Sequence, residues 1–475
     1  MNRFFRLKEN NTTARTEIVA GLTTFMTMAY IVALNPNLLT GFATGTPLWN
    51  AVFLATCIAS CIGTACMAFL ANKPFVMAPG MGLNSFFALI VSNIAVINGV
   101  SYNDAYRSAL CIILCEGVIF VILSVANIRE KIVDSIPLGI RLGIGPAIGL
   151  MLMNIGFGSN LGIYAEGNGY ASPFYVMRDF FGAMTPALLN GEMGAEYRLM
   201  VLSVITLFVG LLVIVLLAKR GVKAAVLLGM LVSSVLYWAG EGFLGVNPFE
   251  SLKTASFVPP FADLARETLF RFDFAGFFDI GIFTAVTLIV TFCMIDMFDT
   301  IGTFVGAASK AGMTDENGKM PRMKEALLSD AVGTLAGSMT GTSTVSTYVE
   351  SASGVEAGGR TGLTAFVASL AFLSCIFLAP IAAIIPSTAT SAALVYVGIL
   401  MLQGLSRVDF NDLDQLVPVF VMLLAMPISG SIGHGIGLAM ILYTLIKLLS
   451  GKGREVSVLT YVISVLFIIK FFAVV

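Results

Sequence analysis

Apolar stretches of about 20 residues recur from end to end of the chain, and short segments rich in glycine, proline or charge separate them. A run of this length crosses the hydrocarbon core of a bilayer as one α-helix, which satisfies its backbone hydrogen bonds internally. The pattern predicts an all-α polytopic membrane protein with fourteen transmembrane segments in two sets of seven. The first set is 16–36, 50–71, 75–97, 105–127, 136–157, 199–218 and 222–240, and the second is 280–308, 323–339, 340–357, 361–379, 382–405, 412–428 and 432–449.

One further apolar stretch, 455–474, follows the last predicted segment. Its length suits either a fifteenth span or a helix that lies along the membrane surface. The hydrophobic pattern leaves both interpretations open.

Composition and charge support a membrane protein and add its orientation. Hydrophobic residues make up 57% and charged residues 12% of the chain, about half the charged fraction of a soluble protein. A cytoplasmic N-terminus places most of the 27 Lys and Arg in inner loops, where membrane proteins concentrate them. We therefore expect a multi-pass protein of the plasma membrane or bacterial inner membrane, surrounded by lipid. The net charge of −1 gives no reason to expect a nucleic-acid partner.

An odd number of segments per set inverts the second set relative to the first, as in the inverted repeats of secondary transporters. The third segment contains Pro74, Pro79 and Gly80, and the tenth contains Gly341 and Gly354. Both are therefore predicted to be interrupted helices. Paired interruptions at matching positions indicate a binding site near the middle of the membrane.

Acidic residues within the predicted segments are the strongest candidates for function, because charge at this depth is costly. Asp296, Asp299 and Thr300 fall at positions i, i+3 and i+4 of the eighth segment and form one polar stripe. Two carboxylates this close in a low dielectric are not expected to be ionised together, so the pair can take up and release a proton.

The interrupted segments supply the other candidates. Glu350 follows the run TSTVSTYV, whose β-branched and hydroxyl residues favour an extended stretch, and it opens a predicted half-helix. Asn84 opens the corresponding half-helix of the third segment and offers both a donor and an acceptor. The two side chains are predicted to face each other across a pocket that suits a small, neutral, polar ring. Glu116 and His434, each alone in its segment, receive no role.

Five segments of the chain resemble the purine-permease branch, the AzgA-like group, of the nucleobase–cation symporters. They are TEIVAGLTTFMTMAYIVALNP (16–36), APGMGLNSFFA (78–88), DMFDTIGTFVG (296–306), TGTSTVSTYVESASGVEAGGRTGLTA (340–365) and GIGLAMILYTLIKLLSGKGREV (435–456). The likeness extends over essentially the whole length.

The resemblance implies a division into a core domain and a gate domain, often in a homodimer, and short antiparallel strands in the third and tenth segments. The core domain would comprise 16–127 and 280–379, and the gate domain 136–240 and 382–449, with 455–474 as an extra C-terminal helix. The implied substrate-binding residues are Asn84, Asp296, Thr300, Tyr348 and Glu350, and the implied proton-coupling residues are Asp296 and Asp299.

The resemblance also implies the activity: import of purine nucleobases (hypoxanthine, guanine or adenine) by proton symport. Such a protein is not an enzyme and needs no metal or cofactor besides the coupling proton. Two alternatives stay open. The same fold could carry another nucleobase (uracil, xanthine or urate) or an organic anion, or the acidic pair Asp296/Asp299 could serve a metal-dependent membrane enzyme.

Overall fold

The computed structural model describes residues 4–41, 43–126, 137–157, 194–249, 256–310, 313, 320–429 and 432–473. The first half contains α1 (Ala14–Met28), α2 (Ile31–Leu39), α3 (Pro47–Cys66, continued by a π-helical turn, Met67–Ala71), β1 (Met77–Pro79), α4 (Met81–Asn98), α5 (Tyr102–Val125), α6 (Leu138–Phe157), α7 (Gly194–Lys219) and α8 (Ala225–Phe243). Two short helices, α9 (Phe261–Glu267) and α10 (Phe274–Asp279), connect the halves.

The second half contains α11 (Ile282–Lys310), α12 (Met323–Thr340), β2 (Val345–Thr347), α13 (Ser351–Glu356), α14 (Gly362–Ser374), α15 (Ala379–Ala383), α16 (Ser387–Met401), α17 (Leu413–Ser429), α18 (Ile432–Leu449) and α19 (Val458–Ala473). Several helices begin at a hydroxyl residue that accepts a backbone N–H of the first turn, which otherwise lacks a partner. Thr46 accepts the N–H of Trp49 at 3.2 Å, and Ser101 accepts that of Asp104 at 3.2 Å.

The helices agree with the fourteen predicted segments. Within the described ranges, nine helices are long and apolar enough to cross a membrane by length and composition, and they correspond to segments one to seven, eleven and twelve. Four shorter apolar helices correspond to segments eight, thirteen and fourteen and to the C-terminal stretch. Segment nine is α12, and segment ten is β2 with α13. The chain is therefore a multi-pass membrane protein.

The third and tenth segments are interrupted as the sequence predicts. Their strands β1 and β2 pair antiparallel, with Met77 opposite Thr347 and Pro79 opposite Val345. Thr64 of α3 supports the pair, because its hydroxyl contacts both the carbonyl and the N–H of Met77. The short sheet replaces helix in the interior of the molecule and brings the two interrupted segments side by side.

The helices pack as two groups. The strand group consists of both strands with α1–α5 and α11–α15, and its closest packing joins α12 to α3 and α5, and α14 to α1 and α3. The flanking group consists of α6–α8 and α16–α18, and its closest packing joins α6 to α16 and α17, and α7 to α8. Within the described part of the chain, only weak contacts join the two groups, among them those of α1 with α8 and of α4 with α6.

Inside the strand group, a buried glutamate joins α1 to α14. Glu17 is 0% exposed, and its carboxylate accepts the N–H groups of Arg360 at 2.9 Å and of Thr361 and Thr364 at 3.2 Å. It also accepts the Thr364 hydroxyl at 2.6 Å. Because these N–H groups belong to the start of α14, Glu17 caps that helix from a distant part of the chain.

The C-terminal helix α19 runs antiparallel alongside α18. The hydroxyls of Thr444 and Ser464 lie 2.8 Å apart, and His434 at the start of α18 contacts the ring of Phe471. Lys447 fixes the intervening turn through Glu455 at 2.8 Å. Because α19 follows α18 for most of its length, the structure favours the fifteenth span over a helix along the membrane surface.

Candidate functional site

A cavity of about 470 Å³ lies on the boundary between the strand group and the flanking group. The strand group contributes residues 80–83 and 346–350 and part of α13, and the flanking group contributes Ile148 of α6 and residues 396–403. Glu356, at the rim, is 62% exposed and lies 3.8 Å from Lys223 of the flanking group. The cavity therefore opens toward the end of the molecule that carries this ion pair.

Glu350 presents a carboxylate to the cavity. It follows β2 directly and stands at the start of α13, and its side chain is only partly buried. The hydroxyl of Tyr30, at the start of α2, donates to Oε1 at 2.9 Å. Among the described residues, Tyr30 is the one side chain that donates to Glu350, and the backbone N–H of Glu350 itself is a second donor. A carboxylate accepts more than two hydrogen bonds, so Glu350 has acceptor capacity left for an N–H donor of a bound molecule.

The end of β2 forms a polar wall beside Glu350. The Tyr348 hydroxyl donates to the carbonyl of Pro79, which fixes the ring against the cavity. Thr347 is 2% exposed, and its hydroxyl has no hydrogen-bond partner in the described part of the chain. Sequence reasoning did not single out Thr347, although it belongs to the hydroxyl-rich run before Glu350. A buried hydroxyl at a cavity wall can bind a ligand or a water molecule.

The start of α4 forms the opposite wall with backbone groups. Gly80 donates its N–H to the Thr344 carbonyl at 3.0 Å, and the N–H groups of the following first turn have no partner within the helix. At Gly82, a Cβ would come within 2.5 Å of Ile148 in α6. Glycine therefore allows the strand group and the flanking group to touch at this wall.

Asn84 does not line the cavity. It is 0% exposed, its Oδ1 accepts the Ser343 hydroxyl, and its Nδ2 donates to the Pro79 carbonyl at 3.2 Å. Asn84 therefore holds the segment before β2 against α4, at the opposite end of that strand from Glu350. The two side chains do not face each other across the pocket in this structure.

Asp296 and Thr300 lie behind the cavity wall, which their neighbour Ile295 forms. Both are 0% exposed, and the Thr300 hydroxyl lies 3.1 Å from Asp296 Oδ1 and 3.0 Å from Asp330 Oδ1. A hydroxyl has one proton to donate. Both contacts are hydrogen bonds only if one of the two carboxyl groups is protonated and donates to Thr300. This arrangement can hold a proton at a defined place.

The sequence had pointed to Asp299 as the partner of Asp296, and the side chain of Asp299 lies outside the described residues. Asp330 was missed, although its position in the middle of a predicted segment was an available signal. Glu116, which received no role, is buried and accepts the Thr344 hydroxyl at 2.6 Å. Glu116, on α5, therefore holds the residues that immediately precede β2.

Helices in two groups around a central pair of strands, with a largely apolar cavity that holds a few polar groups on their boundary, are features of a membrane transporter. The chain matches the Permease family over residues 15–189 and 175–438, and it belongs to that family. Its members are permeases, so the protein is a transporter rather than an enzyme.

Two relatives share nearly the full length. The adenine permease AdeP of Escherichia coli (strain K12) is 36% identical over 470 residues, which cover 99% of this chain and 95% of that protein. The guanine/hypoxanthine permease PbuO of Bacillus subtilis (strain 168) is 35% identical over 477 residues, which cover 98% of this chain and 99% of that protein.

A solved structure gives the same fold. The transmembrane domain of the cyanobacterial bicarbonate transporter BicA aligns with a TM-score of 0.59 at 14% identity and covers 89% of this chain and 96% of that domain. The likeness confirms the prediction of two inverted repeats of seven segments.

Proposed function

We propose that the protein imports purine nucleobases (hypoxanthine, guanine or adenine) by proton symport. The observation that carries the proposal is the Glu350 carboxylate, which Tyr30 holds at the boundary cavity and which keeps acceptor capacity for a ligand. Permeases named for adenine and for guanine and hypoxanthine, similar over almost the whole chain, support this class of substrate.

The cavity offers what a purine needs. Ring N–H groups would donate to Glu350, and ring nitrogen or carbonyl acceptors would bind the Thr347 hydroxyl and the N–H groups at the start of α4. Tyr30 and Tyr348 would provide flat apolar walls for the ring. Asn84 would contribute to binding by holding β2 in place. Asp296 and Thr300 would contribute from their buried positions behind the cavity wall.

The coupling proton would occupy the buried group formed by Asp296, Thr300 and Asp330, with Asp299 as a further member on the same helix. A proton there removes one negative charge from a low-dielectric interior, which lowers the cost of moving this part of the protein through the membrane. Each proton that enters at 100 mV contributes about 2.3 kcal/mol, which corresponds to roughly fifty-fold accumulation of substrate.

In this proposal the strand group is the core domain, which carries the substrate, and the flanking group is the gate domain. The N-terminus would be cytoplasmic, in a plasma or bacterial inner membrane. The ion pair of Lys223 and Glu356 marks the open end of the cavity, which would then face the cytoplasm. The structure would therefore correspond to an inward-open state, and movement of the core against the gate would close this end.

Uptake of radiolabelled hypoxanthine, guanine and adenine by cells that lack their own purine permeases tests the proposal. We expect uptake of at least one base above the empty-vector level and its collapse when a protonophore is added. Saturable uptake that persists with the protonophore would contradict proton coupling, and no uptake of any of the three bases would contradict the substrate class.

The alternative cargoes are separated by competition. Unlabelled uracil, xanthine, urate and a small organic anion are added in excess to the purine uptake assay. We expect unlabelled hypoxanthine, guanine or adenine to compete strongly and the four alternative compounds to compete weakly, the organic anion because Glu350 would repel it. Strong competition by uracil or xanthine would indicate that a protein of this fold carries those bases instead.

A further inference from the structure

A second pocket, of about 460 Å³, lies at the other end of the boundary between the two groups. We call it the far pocket and define it by Asn37, Tyr237, Trp238, Glu241 and residues 383–387. Asn37 belongs to α2 and the strand group, whereas Tyr237, Trp238 and Glu241 belong to α8 and the flanking group. The far pocket therefore depends on both groups, as the central cavity does.

Two helices connect the far pocket to the central cavity. On α16, Ser387 lines the far pocket and Tyr396 lines the cavity, so nine residues and about 14 Å of helix separate them. Along α2, Asn37 lines the far pocket, and Tyr30, seven residues before it, lines the cavity. In the proposed movement of core against gate, the far pocket would lie on the path that opens at the end opposite the present mouth.

Asn37 supplies a donor that has no partner. It is 0% exposed, and its Oδ1 accepts the indole N–H of Trp49 at 2.7 Å, which fixes the orientation of the amide. Its Nδ2 has no hydrogen-bond partner in the described part of the chain. Buried amide donors are almost always bonded, so a ligand or a water molecule in the far pocket can supply the acceptor for Asn37.

The opposite wall supplies an acceptor and a flat surface. The Tyr237 hydroxyl donates a hydrogen bond to the Glu241 carboxylate, whose remaining lone pairs can accept N–H donors of a ligand. The indole of Trp238 is fixed because its N–H donates to the Ile384 carbonyl at 3.1 Å. The wall therefore combines a carboxylate with an aromatic ring. The wall of the central cavity has the same combination, in Glu350 and Tyr348.

We propose that the far pocket is a second binding site for a nucleobase, which the ligand occupies before it reaches the central cavity. A ring acceptor binds Asn37 Nδ2, ring N–H groups donate to Glu241, and the ring lies against Trp238. The chemical class of the ligand rests on the proposed function, whereas the site itself rests on the unpartnered amide of Asn37 and on the Glu241 carboxylate and Trp238 ring in the same pocket.

The test compares transport from the two faces of the membrane, in right-side-out and inside-out vesicles, with the labelled purine that the wild type carries. Asn37→Asp keeps an acceptor for Trp49, replaces the free donor by an acceptor and adds a negative charge, and Glu241→Gln removes a charge with little change of shape. We expect each variant to raise the half-saturation concentration about tenfold from the face of the far pocket. From the face of the central cavity, the value stays at the wild-type level, which also shows that the variant is folded.

Asp279→Asn is the matched control, because Asp279 is an exposed acid outside the far pocket. Wild-type half-saturation from both faces in Asn37→Asp and Glu241→Gln would overturn the second site and leave the proposed function intact. Equal changes from both faces would also overturn it, because they indicate a structural effect. A wild type that carries no purine from either face would overturn the proposed function, and with it the ligand of the far pocket.

Discussion

Glu17 and Glu350 are both held inside the strand group, but their carboxylates have different partners. Glu17 is completely buried, and four donors at the start of α14 occupy its two oxygens. In the described structure Glu350 accepts from one other residue, Tyr30, and from its own backbone N–H, and it lies at a cavity that also touches the flanking group. Glutamate therefore stabilises the packing of two helices at position 17, whereas at position 350 it leaves a carboxylate available for binding.

The difference shows that burial alone does not identify a functional acid in a membrane protein. A carboxylate whose hydrogen-bonding capacity is filled by its own fold stabilises the fold. One whose capacity is partly unused at a cavity can bind a ligand. The number of donors is thus the more useful criterion, and the following experiments test it.

Replacing Glu350 by Gln gives the largest expected change. The amide cannot accept two N–H donors from a ring, and the loss of a hydrogen bond to a charged group corresponds to about a hundredfold loss of transport efficiency. The melting temperature of the purified protein is expected to stay near the wild-type value, because Glu350 supports little else. Glu9→Gln, at an exposed site, is the control. A large loss of stability together with transport would indicate that Glu350 is structural, like Glu17.

Asp330 extends the comparison to an acid that is buried but shares a hydroxyl with another acid. Asp330→Asn removes one of the two carboxyl groups around Thr300. In the wild type we expect roughly fifty-fold accumulation of labelled purine at 100 mV, and in the variant we expect the internal concentration to stay about equal to the external one. Exchange of labelled for unlabelled purine should persist.

Thr300→Val should act in the same direction as Asp330→Asn. Thr287→Val on the same helix is its control, because the Thr287 hydroxyl bonds only a backbone carbonyl in the described structure. Normal accumulation in Asp330→Asn would place the coupling proton elsewhere.

Glu17→Gln should show the opposite pattern to Glu350→Gln. One carboxylate oxygen becomes an NH₂ group that faces the N–H groups of α14, so we expect a loss of about 2 kcal/mol of stability, measured as a lower melting temperature and denaturation midpoint. Transport per folded molecule should stay near the wild-type rate. A normal melting temperature combined with lost transport would reverse the roles assigned to the two glutamates.

The fold was largely predictable because its signals are local. Apolar length, Pro and Gly interruptions and the distribution of Lys and Arg fixed the segments, and the breaks at Pro79 and Gly80 predicted the interruption that contains β1. The position of α19 was not predictable, because a short apolar helix has the same sequence pattern alongside α18 or along a membrane surface. Only the packing of Ser464 on Thr444 distinguishes the two.

The site was less predictable, because its contacts join distant parts of the chain. Glu350 could be selected from its place after a hydroxyl-rich run, but its donor Tyr30 is 320 residues away. Thr300 could be placed near Asp296 by helical spacing, whereas the approach of Asp330 depends on the packing of α12 against its neighbours. Asn84 was correctly placed at the start of α4, but the sequence did not reveal that Ser343 would engage its amide.

Tyr30→Phe gives the smallest expected effect and the sharpest test of the donor criterion. The change removes the side-chain donor of Glu350 without removing the ring that lines the cavity. Because the hydroxyl acts on the purine only by orienting Glu350, we expect a loss of about 1 kcal/mol of binding, which raises the half-saturation concentration for purine uptake about fivefold while the maximal rate is kept. Tyr102→Phe is the control, since the Tyr102 hydroxyl donates to the Leu39 carbonyl at 2.8 Å, away from the cavity. A complete loss of transport in Tyr30→Phe would mean that the hydroxyl contacts the substrate directly instead of orienting Glu350.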